Sequence, residues 1–520
     1  MTGVEDATGT TGGPVREFDV VVVGGGAVGE NAADRASRTG LSVALVEHAL
    51  VGGECSYWAC MPSKALLRPG AALAAARAVP GAGAAVTGRP DVAAVLARRD
   101  EVTSHWRDDG QVGWVEGAGL TLLRGHARFT GPRQLALHTE DGGVVTVRAR
   151  SAVVVATGST PVVPDVPGLA AVEPWTSREA TSAQEVPRRL VVIGGGVVAV
   201  EMATVYADLG SEVTVLVRGR RLLEGAEPFA CEAVLGGLQE LGVRVLLGAR
   251  ASQVRREADG IEVDVQTGPD DGAGPAHETV TTDRVLVATG RRPRTADLGV
   301  ETIGLEPGRA IEVDATLRAT AVDDGWLFAV GDVSGRTGTT HQGKYDARVV
   351  GDVIAARFGP DGTAARDGGE PGAAGASTPG APSRADEAAA GPWSRYRASA
   401  DVAAVPQVVF SRPEVAWVGL TEDEARRAGV DTRVLGYDLG NLAGAAVLSP
   451  DYAGHAQIVV DRSRNVVVGA TFVGPDVAEL LHAATIAVVG EVPLDRLWHA
   501  VPAYPTLSEV WLRLLEGAGL

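Results

Sequence analysis

The stretch Asp19-Val-Val-Val-Val-Gly-Gly-Gly-Ala-Val-Gly29 decides the fold class. A run of valines without polar alternation suits a strand buried on both faces, as parallel sheets require. It leads directly into Gly24, Gly26 and Gly29, spaced G-x-G-x-x-G. The first glycine permits a tight turn, the second lets backbone approach a pyrophosphate, and the third lets helix pack on strand. The helix that follows would hold an anion on its unpaired N–H groups, aided by its dipole. A second strand over 41–46 then reaches Glu47, where a carboxylate would bond ribose hydroxyls. A lone glycine triplet is weak evidence, but strand, turn, helix, strand and acid in sequence predict a βαβ dinucleotide fold.

A second such unit reads Leu190-Val-Val-Ile-Gly-Gly-Gly-Val-Val-Ala-Val-Glu201, with Gly194, Gly196 and Ala199 at the fingerprint positions. Its next strand, over 212–217, ends without an acid: Val217 takes that place, and Arg218, Arg220 and Arg221 follow. Loss of the carboxylate removes the partner of a 2′-hydroxyl and the repulsion against a 2′-phosphate, whose counter-charge the arginines supply. NADPH is therefore expected over NADH. The plainer reading is a solvated basic turn.

Composition sets the surroundings. A chain of 520 residues, 45% hydrophobic, suits about three domains. The formal charge of −18 disfavours nucleic acid and anionic membrane surfaces as partners, because both carry the same sign. Residues 1–17 read as a disordered tail, not a signal peptide, and no apolar run reaches spanning length. Three cysteines cannot build a secreted disulfide framework, so a cytoplasmic protein is expected. From Gly359 to Pro392 there is no Val, Ile, Leu, Met or Phe, which predicts a flexible low-complexity insertion. Beyond it, strand-like runs over 407–410, 457–460 and 466–472 alternate with helical stretches over 422–428 and 477–489. An α+β section is expected there, closing with a helix over 507–516.

The first unit runs into Gly52-Gly-Glu-Cys55-Ser-Tyr-Trp-Ala-Cys60-Met-Pro-Ser-Lys64. Pro62 suits a first helical turn, which places Cys60 near a helix N-terminus that lowers a thiol pKa. The alternatives are a metal half-site or two buried structural thiols. No second cysteine pair or His/Cys cluster completes a zinc set, so no metal site is assigned. Cys231 stands alone and is expected in a core.

The order of these motifs resembles the FAD-dependent pyridine nucleotide-disulfide oxidoreductases, the class that includes dihydrolipoamide dehydrogenase, glutathione reductase and mercuric reductase. The resemblance spans about Phe18 to Glu516 without the insertion. It rests on the first fingerprint, C-x4-C-x-P-S-K, the second fingerprint, Ala156-Thr-Gly158, Ala288-Thr-Gly290, Leu327-Phe-Ala-Val-Gly-Asp332 and the run from Val408 to Gly419. It implies an α/β architecture with two Rossmann-like dinucleotide-binding domains, for FAD and NAD(P), and a C-terminal α+β dimerisation domain. The expected division is 18–187 and 296–358 for the two parts of the FAD domain and 188–295 for the NAD(P) domain. Residues 359–397 would be the insertion and 398–520 the dimerisation domain.

By the same resemblance, Gly24, Gly26, Gly29, Glu47, Gly53, Lys64, Thr157, Gly158, Gly331 and Asp332 would bind FAD, with Asp332 on the ribityl chain. Gly194, Gly196, Ala199, Glu201, Arg218, Arg220 and Gly290 would bind NADPH. Lys64 and Glu201 would pair beside the flavin. Hydride would pass from NADPH through flavin to a Cys55–Cys60 disulfide, leaving Cys60 as the thiolate against the flavin and Cys55 as the thiol that exchanges with a small-molecule acceptor. A homodimer is implied, because the segment around Tyr504 and Glu509 completes the partner's site in this family.

Departures from the family pattern bear on the acceptor. Members acting on disulfides end in His-Pro-Thr-x-x-Glu; here Tyr504 stands in the histidine position, ahead of Glu509. A phenol, with a reference pKa of about 10, is a poor base near neutrality but can donate a proton or hydrogen bond. His499 lies five positions early and reads as a surface histidine. Mercuric reductases carry tyrosine at this place, yet the cysteine pair they use at the C-terminus is lacking here, and the tail is too short for their N-terminal metal-binding domain. In the redox segment Glu54 replaces Thr, Ser56-Tyr57-Trp58 replaces a smaller run, and Ala59 replaces Gly. Tyr57 and Trp58 would either shape an aromatic substrate mouth or pack on a neighbouring domain.

The first reading is a reductase of dihydrolipoamide dehydrogenase plan with an altered proton relay. The alternatives are mercuric reductase-like activity, an NAD(P)H:quinone or diaphorase activity, and, from another class, a non-catalytic flavoprotein redox switch.

Overall fold

The computed structural model describes residues 14–268, 276–360 and 383–520. Packing groups them into two compact units, Met1–Cys55 with Arg107–Thr160 and Arg292–Ser399, and Ser56–Trp106 with Pro161–Arg291 and Ala400–Leu520.

The first unit is built on a seven-stranded sheet. Its centre is parallel: Val15–Val23 lies between Val43–Glu47 and Val144–Val155, with Val20 opposite both Val43 and Ala152. Thr121–Arg124 extends one side, while Leu327–Ala329 adds a parallel strand from the last third of the unit. Gln134–His138 and His126–Gly131 continue the sheet antiparallel. The unalternating valines at 20–22 are fully buried, as a strand covered on both faces requires. One cover is the helix pair Ala27–Ser37 and Thr340–Phe358, which meet through small residues; a Cβ on Gly351 would fall 2.4 Å from Arg35 Cγ.

Of the low-complexity stretch, residues 361–382 lie outside the described residues, as do 1–13 of the tail. The chain from Ser383 departs from the expectation of flexibility. Arg384–Ala388 is helical, Tyr396 is buried in the core of the first unit, and Arg395 Nε pairs with Asp352 at 2.7 Å. An aromatic anchor and ion pairs, the second between Glu387 and Arg357 at 2.8 Å, fix a segment that its aliphatic-poor composition marks as unable to pack.

In the second unit, a four-stranded parallel sheet runs Arg244–Leu247, Glu212–Val217, Arg189–Ile193 and Arg284–Val287. A three-stranded antiparallel sheet covers one side. The helices Val197–Asp208 and Pro228–Glu240 cover the other, joined by the long helix Cys60–Ala78 through Leu66 and Leu67. The C-terminal part is a five-stranded antiparallel sheet whose strands include Gln407–Val409, His455–Asp461 and Val466–Gly474, close to the expected runs. Leu481–Val489 and Val510–Gly517 pack against it. The α/β architecture with two nucleotide-type folds and a C-terminal α+β part is as the sequence predicts.

Candidate functional site

In the first unit the glycine turn is shaped for close approach. Gly24 has φ of +106°, and a Cβ there would fall 2.4 Å from the Ala156 carbonyl; one on Gly29 would fall 1.8 Å from the Gly24 carbonyl. Gly26, by contrast, would meet only Gly53 Cα at 3.7 Å. It starts the helix Ala27–Ser37 without any side-chain cap, so the first N–H groups stay open to an anion. Gly53, itself at φ +61°, lies against Gly26 so closely that a side chain at 53 would collide with it.

Glu47 ends the second strand buried. Its Oε2 accepts the Gly25 N–H at 2.6 Å, and its Oε1 accepts the Ala49 N–H at 2.7 Å and faces His48 Nδ1 at 3.1 Å. Burial alone would raise this carboxyl, but His48 and the two backbone donors outweigh it and hold the group below its usual range. The uncapped helix start, the bare Gly26 rim and a carboxylate kept ionised are a donor and acceptor set that fits the pyrophosphate and ribose of FAD.

Thr157 Oγ1 donates to the Arg294 carbonyl at 2.8 Å, and the Arg294 N–H returns to the Gly158 carbonyl at 3.0 Å. Gly331, with φ of +72°, precedes Asp332, whose carboxylate accepts the Ser159 hydroxyl. Ser159 and Arg294 escaped the sequence reading; Ser159 directly follows Ala156-Thr-Gly158 and Arg294 comes shortly after Ala288-Thr-Gly290, and those two runs were the available signal. Arg294 also pairs with Glu54 at 3.2 Å, which gives the departure at Glu54 a local partner. Glu30, one turn into the first helix, was missed as well. Burial pushes its carboxyl up to about 7, opposed by Lys344 and reinforced by Glu47, and its Oε1 is buried without a hydrogen-bond partner.

The second unit repeats the turn. Gly194, at φ +137°, would clash with the Ala288 carbonyl at 2.2 Å if it bore a Cβ, Gly196 faces open space at an uncapped helix start, and Ala199 is buried. Arg218 and Arg220 are exposed just past the strand end, and Gly290 has open space around it.

Cys60 is the first residue of the helix Cys60–Ala78, with Pro62 in its first turn and no side-chain cap at Ala59. Cys55 lies in the short helix Gly53–Tyr57. Lys64, one turn beyond Cys60, holds both oxygens of Glu201 at 2.7 and 2.9 Å. Glu201 is 3% exposed and also accepts the Phe410 N–H at 3.1 Å, while the ammonium sits 5.0 Å from the centre of the Phe410 ring. The sequence expectation that Lys64 and Glu201 meet is thus matched by their geometry. Tyr57 is buried, with Trp58 beside it and Arg178 stacked on the indole, so packing describes Tyr57 better than a substrate mouth.

Near the C-terminus Tyr504 is 76% exposed, whereas Glu509 is buried with Oε2 unpartnered; among the described residues no hydrogen bond joins the two. His499 is exposed. Cys231 is buried, which pushes its thiol up. Among the described residues no group of three or more His, Cys, Asp or Glu is placed to hold a metal, and no helix is long and apolar enough to cross a membrane.

Comparisons with known proteins agree with this geometry. The family described as pyridine nucleotide-disulphide oxidoreductase matches residues 18–347, and its dimerisation domain matches 405–514. A dihydrolipoyl dehydrogenase of Halobacterium salinarum is 32% identical over 96% of this chain and 96% of its own. A mercuric reductase of Staphylococcus aureus is 28% identical over 95% of this chain and 81% of its own. The same fold occurs in the HOCl-induced flavoprotein disulfide reductase RclA from Escherichia coli, with a TM-score of 0.76, 23% identity and coverage of 96% of this chain and 99% of that one. With both family domains matched and relatives aligned over nearly their whole length, the chain belongs to the pyridine nucleotide-disulphide oxidoreductases, enzymes that carry FAD and use pyridine nucleotides.

Proposed function

We propose that this enzyme reduces a small-molecule disulfide-type acceptor with NADPH, through a dithiol formed by Cys55 and Cys60. The observation that carries this reading is the position of Cys60. It opens a 19-residue helix, whose dipole favours a thiolate at its first residue. Bound FAD supplies two-electron transfer between the nicotinamide and the cysteine pair.

The chain's own residues hold the reactants. Gly24, Gly26, Gly29, Gly53, Glu47, Thr157, Gly158, Gly331 and Asp332 form the cradle for FAD. Gly194, Gly196, Ala199, Gly290, Arg218 and Arg220 form that for NADPH. Lys64, oriented by Glu201, places a positive charge one turn from Cys60. Per cycle one NADPH and one proton give NADP⁺ and two thiols; the thiols then pass two electrons and two protons to the acceptor, restoring their own bond. Tyr504 donates a proton or hydrogen bond to the departing group.

A homodimer in the cytoplasm is the proposed state. The dimerisation match and the exposure of Ile486, Val501 and Tyr504 on the C-terminal part support it. A second reading, direct passage of electrons to a quinone or to Hg²⁺, is favoured by the absence of an imidazole at position 504. Anaerobic titration with NADPH, followed by turnover with disulfides, quinones and Hg²⁺, separates the two. A long-wavelength thiolate-to-flavin band that vanishes in Cys60→Ser is expected, and full disulfide turnover in the Cys55→Ser/Cys60→Ser enzyme would refute the dithiol route.

A further inference from the structure

Arg99 is fully buried, and no step proposed above uses it. Its guanidinium donates to the carbonyls of Thr181 and, at 2.9 Å, Ala183, pairs with Asp100 at 2.6 Å, and lies 5.1 Å from the centre of the Trp106 ring. A buried cation persists only when its donors are satisfied, so the partners indicate what the position is for.

Those partners lead to the cysteine segment. Thr181 Oγ1 reaches the Trp58 carbonyl at 2.9 Å, the nearest of three acceptors for its one proton, with Ser177 at 3.0 Å and Arg178 at 3.3 Å, and Trp106 Nε1 donates to the Tyr57 carbonyl at 3.1 Å. Arg178, on the same short helix as Thr181, stacks 3.8 Å from the centre of the Trp58 ring. Both carbonyls belong to the span between Cys55 and Cys60, and the Tyr57 side chain is 1% exposed.

A second observation is independent of these bonds. Ser104, His105 and Trp106 have consecutive φ values of +50°, +52° and +54°. Three successive non-glycine residues in the left-handed region are strained, and such strain lasts only where surrounding contacts over-determine it. Here the turn delivers the Trp106 indole N–H to Tyr57.

We infer that Arg99, Trp106 and Thr181 are positioning residues that clamp Tyr57 and Trp58 and thereby set the balance between dithiol and disulfide at Cys55 and Cys60. The inference rests on the reading of those cysteines as the redox pair. A held span keeps one thiol at high effective concentration before the other and favours the closed bond; a slack span lowers that concentration and favours the dithiol.

The test equilibrates the FAD-loaded, full-length enzyme anaerobically with graded glutathione buffers. Enzyme dithiol and glutathione disulfide exchange to enzyme disulfide and two glutathione thiols, so two electrons and two protons pass to glutathione. Acid quench, alkylation and peptide mass then report the state of both cysteines. Trp106→Phe, which keeps an aromatic ring of smaller size but loses the N–H, and Thr181→Val should each move the equilibrium toward dithiol by about fivefold, the weight of about one hydrogen bond. Thr181→Ser should keep the wild-type balance, with FAD content and thermal midpoint monitoring the fold. Unmoved balances in both Trp106→Phe and Thr181→Val overturn the inference alone. A wild-type enzyme that forms no Cys55–Cys60 bond at any ratio overturns the redox-pair reading and the inference together.

Discussion

Val217 lies against Gly195 so closely that a Cβ on the glycine would fall 2.7 Å from the valine Cγ1. In the other nucleotide fold a Cβ on Gly25 would fall 2.9 Å from Glu47 Cβ. The two strand ends are therefore equivalent positions with opposite chemistry, one ionised and one apolar.

That equivalence gives a direct test of cofactor choice. A glutamate introduced by Val217→Glu has the Gly195 backbone beside it, as Glu47 has Gly25, and can accept from a ribose 2′-hydroxyl while repelling a 2′-phosphate. Charge-assisted hydrogen bonds are worth roughly 1.5–3 kcal/mol, so kcat/KM for NADPH is expected to fall about 10- to 100-fold and that for NADH to rise. Replacing Arg218 and Arg220 with alanine should lower the NADPH value alone. Wild-type kinetics that favour NADH would contradict the assignment at the outset.

Both glycine turns were legible because their chemistry is local: strand, turn and the end of the next strand lie within about thirty residues. The order in the sheet was not. Leu327–Ala329 pairs with Val153–Val155, far earlier in the chain, and a three-residue strand carries no signal of where it will dock. Arg99 was equally opaque, since its partners distant in sequence are the backbone carbonyls of Thr181 and Ala183, and carbonyls leave no trace in residue type. Lys64 and Glu201 were found only by resemblance; spacing alone gives no reason to join them.

The Lys64–Glu201 contact makes a stability prediction with a built-in control. Glu201→Ala removes the acceptor for both Lys64 and the Phe410 N–H, whereas Glu201→Gln keeps one neutral oxygen, at the place shared by both, and turns the other acceptor into a donor. The alanine variant is expected to lose about 2–3 kcal/mol and the glutamine variant about half of that. Denaturant unfolding of the FAD-loaded enzyme measures the difference, and equal losses would show that the charge of the carboxylate carries the whole effect and a neutral acceptor of the same volume none of it.

Glu30 sets a pH dependence whose sign follows from its raised pKa. Between the ordinary carboxyl value of 4.5 and the folded value of about 7, the folded state holds more protons than the unfolded one. Stability from this group therefore declines as pH rises through that window and is flat beyond it. Burial is the main cause, with Glu47 adding to it and Lys344 opposing it. Glu30→Gln removes the titration, so the variant should gain on wild type by about 2 kcal/mol between pH 5 and pH 7, within the linkage limit of roughly 1.4 kcal/mol per unit. Parallel melting curves for the two proteins across that range would exclude the effect.

Tyr504 offers the sharpest test of the acceptor. Its ring is exposed and unbonded to Glu509, whose Oε2 is buried without a partner. Oxidising a dithiol requires a group that takes its proton near neutral pH. A phenol cannot do so efficiently, while an imidazole can, and positioned general bases contribute about 10²- to 10⁴-fold. Tyr504→His is expected to raise dihydrolipoamide oxidation by about 10², with a pH profile that now bends near the imidazole pKa, and to leave NADPH-driven flavin reduction unchanged. Adding Glu509→Gln should remove most of that gain, because the carboxylate is what would orient the ring. A Tyr504→His enzyme no faster than wild type in this direction would place the proton relay elsewhere in the molecule.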